Sequence, residues 1–301
     1  MQMNSHSILP SMSQPTVSLP TTQEEILHTR SVLGAQATFV AGGTLLRTQW
    51  EGGAVPVPSN LIALDALEQL HGISEQERAL RIGAMTRLKD CISNTAVVAC
   101  APLLSEAVRH IAAPSIRNLA TLGGNIVSTV GDALPALLVM NAELEWLGEK
   151  TFIRQSLRDW LDSARSSGID REAVLCAAHI PRVAEPQVSF FKKVGRRAAF
   201  TPALVSVAFE GVQDSAGKWI SAALAAGGGA CIPARLPRSE ELLLSMQPWM
   251  TDYGKLARTI QEEFAANTDV FASAEYRSSL AANLLTAGLF ESLESIHKAK
   301  E

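Results

Sequence analysis

The chain has 301 residues, 47% hydrophobic and 19% charged, a globular balance with length enough for a sizeable core. Its 26 basic and 30 acidic side chains leave a formal charge of −4, and no Lys/Arg block is dense enough to follow a phosphate backbone, which argues against a nucleic-acid partner. No apolar run approaches the roughly 20 residues of a bilayer span, and the start lacks a basic segment followed by a hydrophobic one, so a soluble, cytoplasmic protein with no membrane association is expected.

In chain order, residues 1–20 are rich in Ser, Pro and Gln and predict a disordered arm. Thr22-Gln23-Glu24-Glu25-Ile26-Leu27 carries the capping signature of a helix running to Leu33, and Ala37 to Ala41 predicts a buried strand. Strands are expected at Leu61 to Leu64 and Leu80 to Ile82, then helices at Thr86 to Ser93 and Pro102 to Ile111. A helix from Asp132, a strand at Glu143 to Leu147, a helix at Ser156 to Ser163 and a strand at Ala173 to Ile180 follow, with a domain boundary near Pro181 to Pro186. The last third predicts an antiparallel meander of Val188 to Val194, Ala203 to Phe209 and Trp219 to Ala226. Helices at Ser239 to Ser245, Tyr253 to Ala265 and Tyr276 to Leu293 close an α+β domain.

Two glycine pairs carry the chemistry. They are Phe39-Val40-Ala41-Gly42-Gly43-Thr44-Leu45-Leu46 and Asn118-Leu119-Ala120-Thr121-Leu122-Gly123-Gly124-Asn125-Ile126. Either pair alone reads as a tight turn. Together, each after an apolar stretch, they predict backbone amides converging on a pyrophosphate from two segments, because glycine allows positive φ and close approach. Neither is the G-x-G-x-x-G of a Rossmann turn or a phosphate loop ending in Gly-Lys-Ser.

The remaining candidates have bland readings beside their functional ones. Asp132 can accept ribose hydroxyls or simply cap the helix that follows it. Lys192, Lys193, Arg196 and Arg197 can lie beside a phosphate or flavin, or form a solvated strand end. His71, His110 and His179 lack triad partners, and Trp50 reads as a packing residue. The four cysteines are scattered without a C-x-x-C, so buried free thiols are expected and a metal or iron–sulfur site within this chain is not.

With the two turns, the segment Phe190-Phe191-Lys192-Lys193-Val194-Gly195-Arg196-Arg197-Ala198-Ala199-Phe200 and the run Ala272-Ser273-Ala274-Glu275-Tyr276-Arg277, the chain resembles the FAD-binding medium subunit of the molybdenum hydroxylases, the xanthine dehydrogenase and carbon monoxide dehydrogenase group. The likeness runs from about Thr21 to the C-terminus. It implies an α+β fold. A two-subdomain FAD-binding domain of the vanillyl-alcohol-oxidase (PCMH) type would occupy 21–183, and a smaller α+β domain of the CO dehydrogenase flavoprotein type 184–301.

Carried over by position, the resemblance assigns FAD contacts to Val40, Ala41, Gly42, Gly43, Thr44, Leu45 and Leu46 in the first loop and to Thr121, Gly123, Gly124 and Asn125 in the second. It gives Asp132 the adenosine ribose, and Val174, Leu175 and Lys192 the flavin. It implies no catalytic residue and no metal here. Molybdopterin and [2Fe–2S] clusters would sit in a large and a small partner subunit, in a dimer of heterotrimers, with NAD⁺ as acceptor. The runs Thr48 to Gly53 and Ser128 to Asp132 lean towards purine-oxidising members, so xanthine or hypoxanthine is the expected substrate. The chain departs from the pattern at Leu45, where many members carry an acidic residue, and it lacks the insertion that holds an extra cluster in some. A stand-alone flavin oxidase of related fold and a non-catalytic scaffold are the other classes open to this sequence. A flavin spectrum separates the scaffold from both enzymes, and bleaching by substrate without partners marks the oxidase.

Overall fold

A computed structural model describes residues 14–149, 151–170, 173–182, 188–197, 202–246 and 252–300. The expected boundary at 183/184 and the residues Ala198, Ala199 and Phe200 lie outside them. The chain begins with β1 (Thr16–Ser18), which pairs in parallel with a later strand, so the expected disordered arm does not extend through residue 20. Helix α1 (Gln23–Leu33) starts where Thr22 accepts from the Glu25 amide at 3.1 Å and Glu25 returns a carboxylate to the Thr21 amide at 2.7 Å. β2 (Ala37–Val40), α2 (Thr44–Glu51) and β3 (Asn60–Ala63) complete a parallel sheet of order β1-β3-β2, with Ile26 and Ile62 buried between helix and strands.

The second unit runs through β4 (Ile73–Glu75), β5 (Ala79–Gly83) and a series of short helices: α3 (Leu88–Ser93), α4 (Thr95–Cys100), α5 (Pro102–Arg109), α6 (Pro114–Arg117), α7 (Leu122–Val127) and α8 (Leu134–Val139). Proline opens α5 and α6, where its missing N–H costs nothing, and Asn94 caps α4 through the Ala96 and Val97 amides. Then come β6 (Glu143–Leu147), β7 (Phe152–Ser156), α9 (Leu157–Ser167) and β8 (Leu175–Pro181). The sheet order is β4-β5-β8-β6-β7, antiparallel at every pairing. Leu103, Leu104, Leu134 and Leu137 bury the helices against it.

The last unit is the expected meander with one more strand. β9 (Val188–Gly195), β10 (Ala203–Gln213), β11 (Trp219–Gly228) and β12 (Cys231–Arg235) form an antiparallel sheet of order β12-β11-β10-β9. Helices α10 (Pro237–Ser245), α11 (Tyr253–Glu263) and α12 (Ala274–Lys300) cover one face through Leu243, Leu256, Ile260 and Leu285, while Phe209 stacks on Phe190 and meets Trp219 edge-on. The other face meets the second unit: Phe191, Ala208, Ala223 and Ala225 belong to the same core as Leu134 and Leu138. Arg235 on β12 reaches the Leu138 carbonyl and Asn141 Oδ1 at the end of α8.

The five-stranded sheet buries charge. His179 Nε2 lies 2.9 Å from Glu145 Oε2, and Arg81 donates to Glu145 Oε1 at 3.0 Å and to the Gln69 carbonyl at 2.9 Å. Burial pushes the Glu145 carboxyl up, but hydrogen bonds from Arg81 and His179 outweigh it and hold it below its ordinary range. Burial also pushes the His179 imidazole down, more than Glu145 raises it. Both groups bind protons less readily folded than unfolded, so stability is full above their ordinary pKa values and declines on acidification, first through His179 and then through Glu145. A melting temperature followed from pH 7.5 to 5.5 should therefore fall less steeply in His179→Gln than in the parent chain. Equal slopes would remove His179 from this account.

Candidate functional site

The first glycine pair sits at the end of β2, where the parallel sheet delivers the chain into α2. Gly43, at φ 64°, is the N-cap of α2 and offers no side chain to its amides. Among the described residues, the amides of Gly42, Gly43, Thr44, Leu45 and Leu46 have no protein acceptor, Arg47 being the first to close a backbone bond, onto Gly43. An eight-residue helix thus presents open N–H groups and its positive end at one point, the arrangement that binds a phosphate. Leu45, where many family members carry an acidic residue, is exposed.

The second pair behaves differently. Gly123 and Gly124 are not in a left-handed turn but in the first turn of α7, which Thr121 caps by accepting from Gly124 at 3.1 Å. The segment before them lies along the chain that leaves β5, with Leu88 donating to Ala120, Leu122 to Thr86 and Gly123 to Ala84. Gly123 is needed there because a Cβ would stand 2.6 Å from that of Ala84. Asn125 donates its amide to Thr121. The expectation of amides donated from both loops is therefore corrected: the amides of Leu122, Gly123, Gly124 and Asn125 are spent inside the protein. What the second loop can offer is the Thr121 hydroxyl proton and the Asn125 side-chain amide, whose Oδ1 is occupied by the Ala133 N–H at 3.3 Å.

The two loops touch at Gly42. Any Cβ there would overlap the Leu119 carbonyl, so the first loop lies directly on the backbone that leads into the second. Open amides from one segment and side-chain donors from the other can therefore meet a single extended anion, which fits the pyrophosphate of a dinucleotide.

The remaining expected residues divide. Val174 and Leu175 enter β8 with side chains in two different buried cores. Their neighbour Cys176 accepts from the Ala84 amide at 2.8 Å, which ties β8 to the second loop. Lys192 and Lys193 point to opposite faces of β9, as alternation requires. Lys192 pairs with Glu291 of α12 at 2.5 Å, away from Asp132. Lys193 instead crosses to the second unit, with Nζ 2.6 Å from Asp132 Oδ2 and 2.8 Å from the His110 carbonyl. Both members of the pair are largely shielded from solvent, with side chains 12% and 7% exposed. Burial pushes the Asp132 carboxyl up, opposed by Lys193 and by the Ala203 amide. Losing one partner of such a pair costs roughly 3–5 kcal/mol, because the other charge stays buried alone. The family resemblance points to Lys192 within the basic cluster, whereas Lys193 is the lysine that meets Asp132; alternation separates the two onto opposite faces without specifying which face meets Asp132.

Among the described residues no group of His, Cys, Asp and Glu side chains is placed to hold a metal, no cysteine is paired, and no helix is long and apolar enough to cross a membrane.

Comparison with known proteins places these features. Residues 12–183 match the model of the FAD binding domain in molybdopterin dehydrogenase, and residues 189–292 that of the CO dehydrogenase flavoprotein C-terminal domain. The carbon monoxide dehydrogenase medium chain of Hydrogenophaga pseudoflava is 39% identical over 108 residues, a stretch of 36% of this chain and 37% of that one. The xanthine dehydrogenase FAD-binding subunit of Escherichia coli O157:H7 is 25% identical over 80% of this chain and 84% of its own. The solved carbon monoxide dehydrogenase from Hydrogenophaga pseudoflava shares the fold, with a TM-score of 0.85 over 94% of this chain and 98% of that one at 22% identity. From its open helix terminus to its four-stranded C-terminal sheet, this chain belongs to the family of FAD-binding subunits of the molybdenum hydroxylases.

Proposed function

We propose that this chain is the electron-transfer subunit of a molybdenum hydroxylase, carrying electrons from the [2Fe–2S] clusters of a small partner subunit through FAD to NAD⁺ or another acceptor. The observation that carries the reading is the α2 terminus, with its unsatisfied amides pressed by Gly42 against the second loop. Bound FAD supplies the redox chemistry, taking up electrons and releasing them to the acceptor. This chain's part is to hold and orient it. The amides from Gly42 to Leu46 and the donors of Thr121 and Asn125 would hold the pyrophosphate, and Asp132 would take the adenosine ribose. Val40 and Ala41 would line the entry, while Gly123 contributes by letting α7 start close to the chain leaving β5 and Gly124 by donating its amide to Thr121. Val174, Leu175 and Lys192 would meet the flavin through their backbone, since their side chains are buried or paired elsewhere. No side chain is assigned as acid, base or nucleophile.

The reading extends to a large molybdopterin-binding subunit, a dimer of heterotrimers in the cytoplasm, and a purine as substrate. The purine choice rests on the likeness of Thr48 to Gly53 and Ser128 to Asp132 to purine-oxidising members. The domain division falls at 183/184.

Denatured protein should release FAD and not FMN, because the first loop is shaped for a pyrophosphate that FMN lacks; chromatography of the supernatant decides. Gly42→Ala should remove nearly all flavin, as its Cβ meets backbone that cannot move aside, and Gly43→Val should weaken flavin binding by roughly five- to thirtyfold through strain of about 1–2 kcal/mol at positive φ. Gly124→Ala, whose Cβ would lie 3.2 Å from Thr121 Oγ1, should retain most of it. A flavin-to-protein ratio unchanged in Gly42→Ala would refute the loop contact as the basis of binding. In stopped flow, NADH should reduce the flavin of the isolated chain, whereas xanthine should do so only in the assembled complex. Purine-driven bleaching of the isolated chain would overturn the electron-carrier reading, and reduction of the complex by carbon monoxide but not xanthine would replace the substrate.

A further inference from the structure

The Asp132–Lys193 pair joins the two family-matched regions of the chain, Asp132 from the FAD-binding region and Lys193 from the C-terminal one. It is not a surface contact, since the two side chains are 12% and 7% exposed. Asp132 stands seven residues of chain after Asn125, and the two are locked together: Gly131 lies against the Asn125 side chain so closely that a Cβ would overlap it, and Ala133 donates to Asn125 Oδ1. Whatever fixes Asp132 therefore also fixes the Asn125 side chain. On the other side, Lys193 spends a second hydrogen bond on the His110 carbonyl just past α5, and Phe191, two residues earlier on the same face of β9, packs against the His110 ring at 5.8 Å. One strand edge thus grips the second unit at two points around the Asp132 turn.

We propose that Lys193 is a positioning residue for the cofactor: reaching across from the C-terminal sheet, it holds Asp132, and through the Gly131–Ala133 turn Asn125, in the orientation that receives FAD. This rests on the reading that Asp132 and Asn125 lie at the FAD site. It goes beyond that reading by making a residue of the C-terminal region part of the geometry of the dinucleotide site, with no contact to the cofactor required of Lys193.

A second bridge between the regions supplies the control. Arg235 joins β12 to α8 through the Leu138 carbonyl and Asn141, with no hydrogen bond to either glycine loop or to Asp132. If Lys193 acted only by docking one region on the other, loss of Arg235 would have the same effect on FAD.

The test uses the full chain, stripped of flavin and titrated with FAD by flavin fluorescence, in the parent and in Lys193→Met, Asp132→Asn, their double variant and Arg235→Met. Visible circular dichroism of the bound flavin is recorded at saturation. Lys193→Met and Asp132→Asn should each weaken FAD binding by about tenfold or more, the double variant should be no weaker than the worse single one, and both should alter the flavin dichroism. Arg235→Met should lower the melting temperature while leaving affinity within about twofold and the dichroism unchanged. If Lys193→Met gives too little folded protein, Lys193→Gln, which retains a donor to Asp132 without the charge, takes its place. FAD affinity unchanged in the lysine variant, multiplied losses in the double variant, or equal losses in Lys193→Met and Arg235→Met would each overturn the proposal. Loss in Asp132→Asn without loss in the lysine variant sinks the proposal alone, whereas no loss in either also removes Asp132 from the FAD site.

Discussion

Backbone lies on backbone where Gly42 meets Leu119 and Ala120, and the rest of the site depends on that contact. The parallel three-stranded sheet and the antiparallel five-stranded one share a core in which Ile26 and Ile62 pack with Val174 and Cys176, while the helices of the second unit fill another on the far side of the five-stranded sheet. Only where a side chain is missing can the end of one approach the loop of the other to within the width of a peptide group. That approach brings a helix terminus with open amides beside a helix whose amides are already used. Donors of two kinds then share one place. Backbone donors come from α2, and side-chain donors come from Thr121 and Asn125.

The division of labour has an energetic logic. Five open amides at the start of α2 cost little while solvent reaches them, and they keep a fixed direction because the helix behind them is formed. The second loop could not be built the same way. Its amides are needed to pin residues 120–123 along the chain leaving β5, which in turn is bonded to β8 through Ala84 and Cys176. Leaving them open would have left buried polar groups without partners, at roughly 1–3 kcal/mol each.

Much of the fold was legible in the sequence because its strands are nearly continuous apolar runs and its helices carry caps. Thr22, Ser156 and Asp252 each precede a helix and each accepts an amide from its first turn. β12 was missed because Cys231–Arg235 contains Pro233 and follows the run Gly227-Gly228-Gly229, a pattern that reads as loop until the partner strand is known. The second glycine pair was found but misread. Thr121 three residues before Gly124 is a capping signal, and it marks a helix start where paired glycines alone suggest a turn. The pairing of Lys193 with Asp132 had no local signal at all. It follows from how β9 packs on the second unit, and no periodicity within either segment encodes that.

Two adjacent lysines with different obligations make the register of β9 a setting rather than a detail. Lys192 reaches α12 and Lys193 reaches Asp132 only because the strand pairs with β10 as it does, Lys193 opposite Ser206 and Lys192 opposite Val207. A slip by one residue would turn Lys192 toward Asp132 and send Phe190 and Phe191 into each other's cores. Charge would still find charge, but two aromatic rings would exchange environments on opposite faces of the sheet. The phenylalanine pair thus guards the lysine pair: hydrophobic packing, which does not discriminate between the two amines, decides which of them faces the cofactor-binding region.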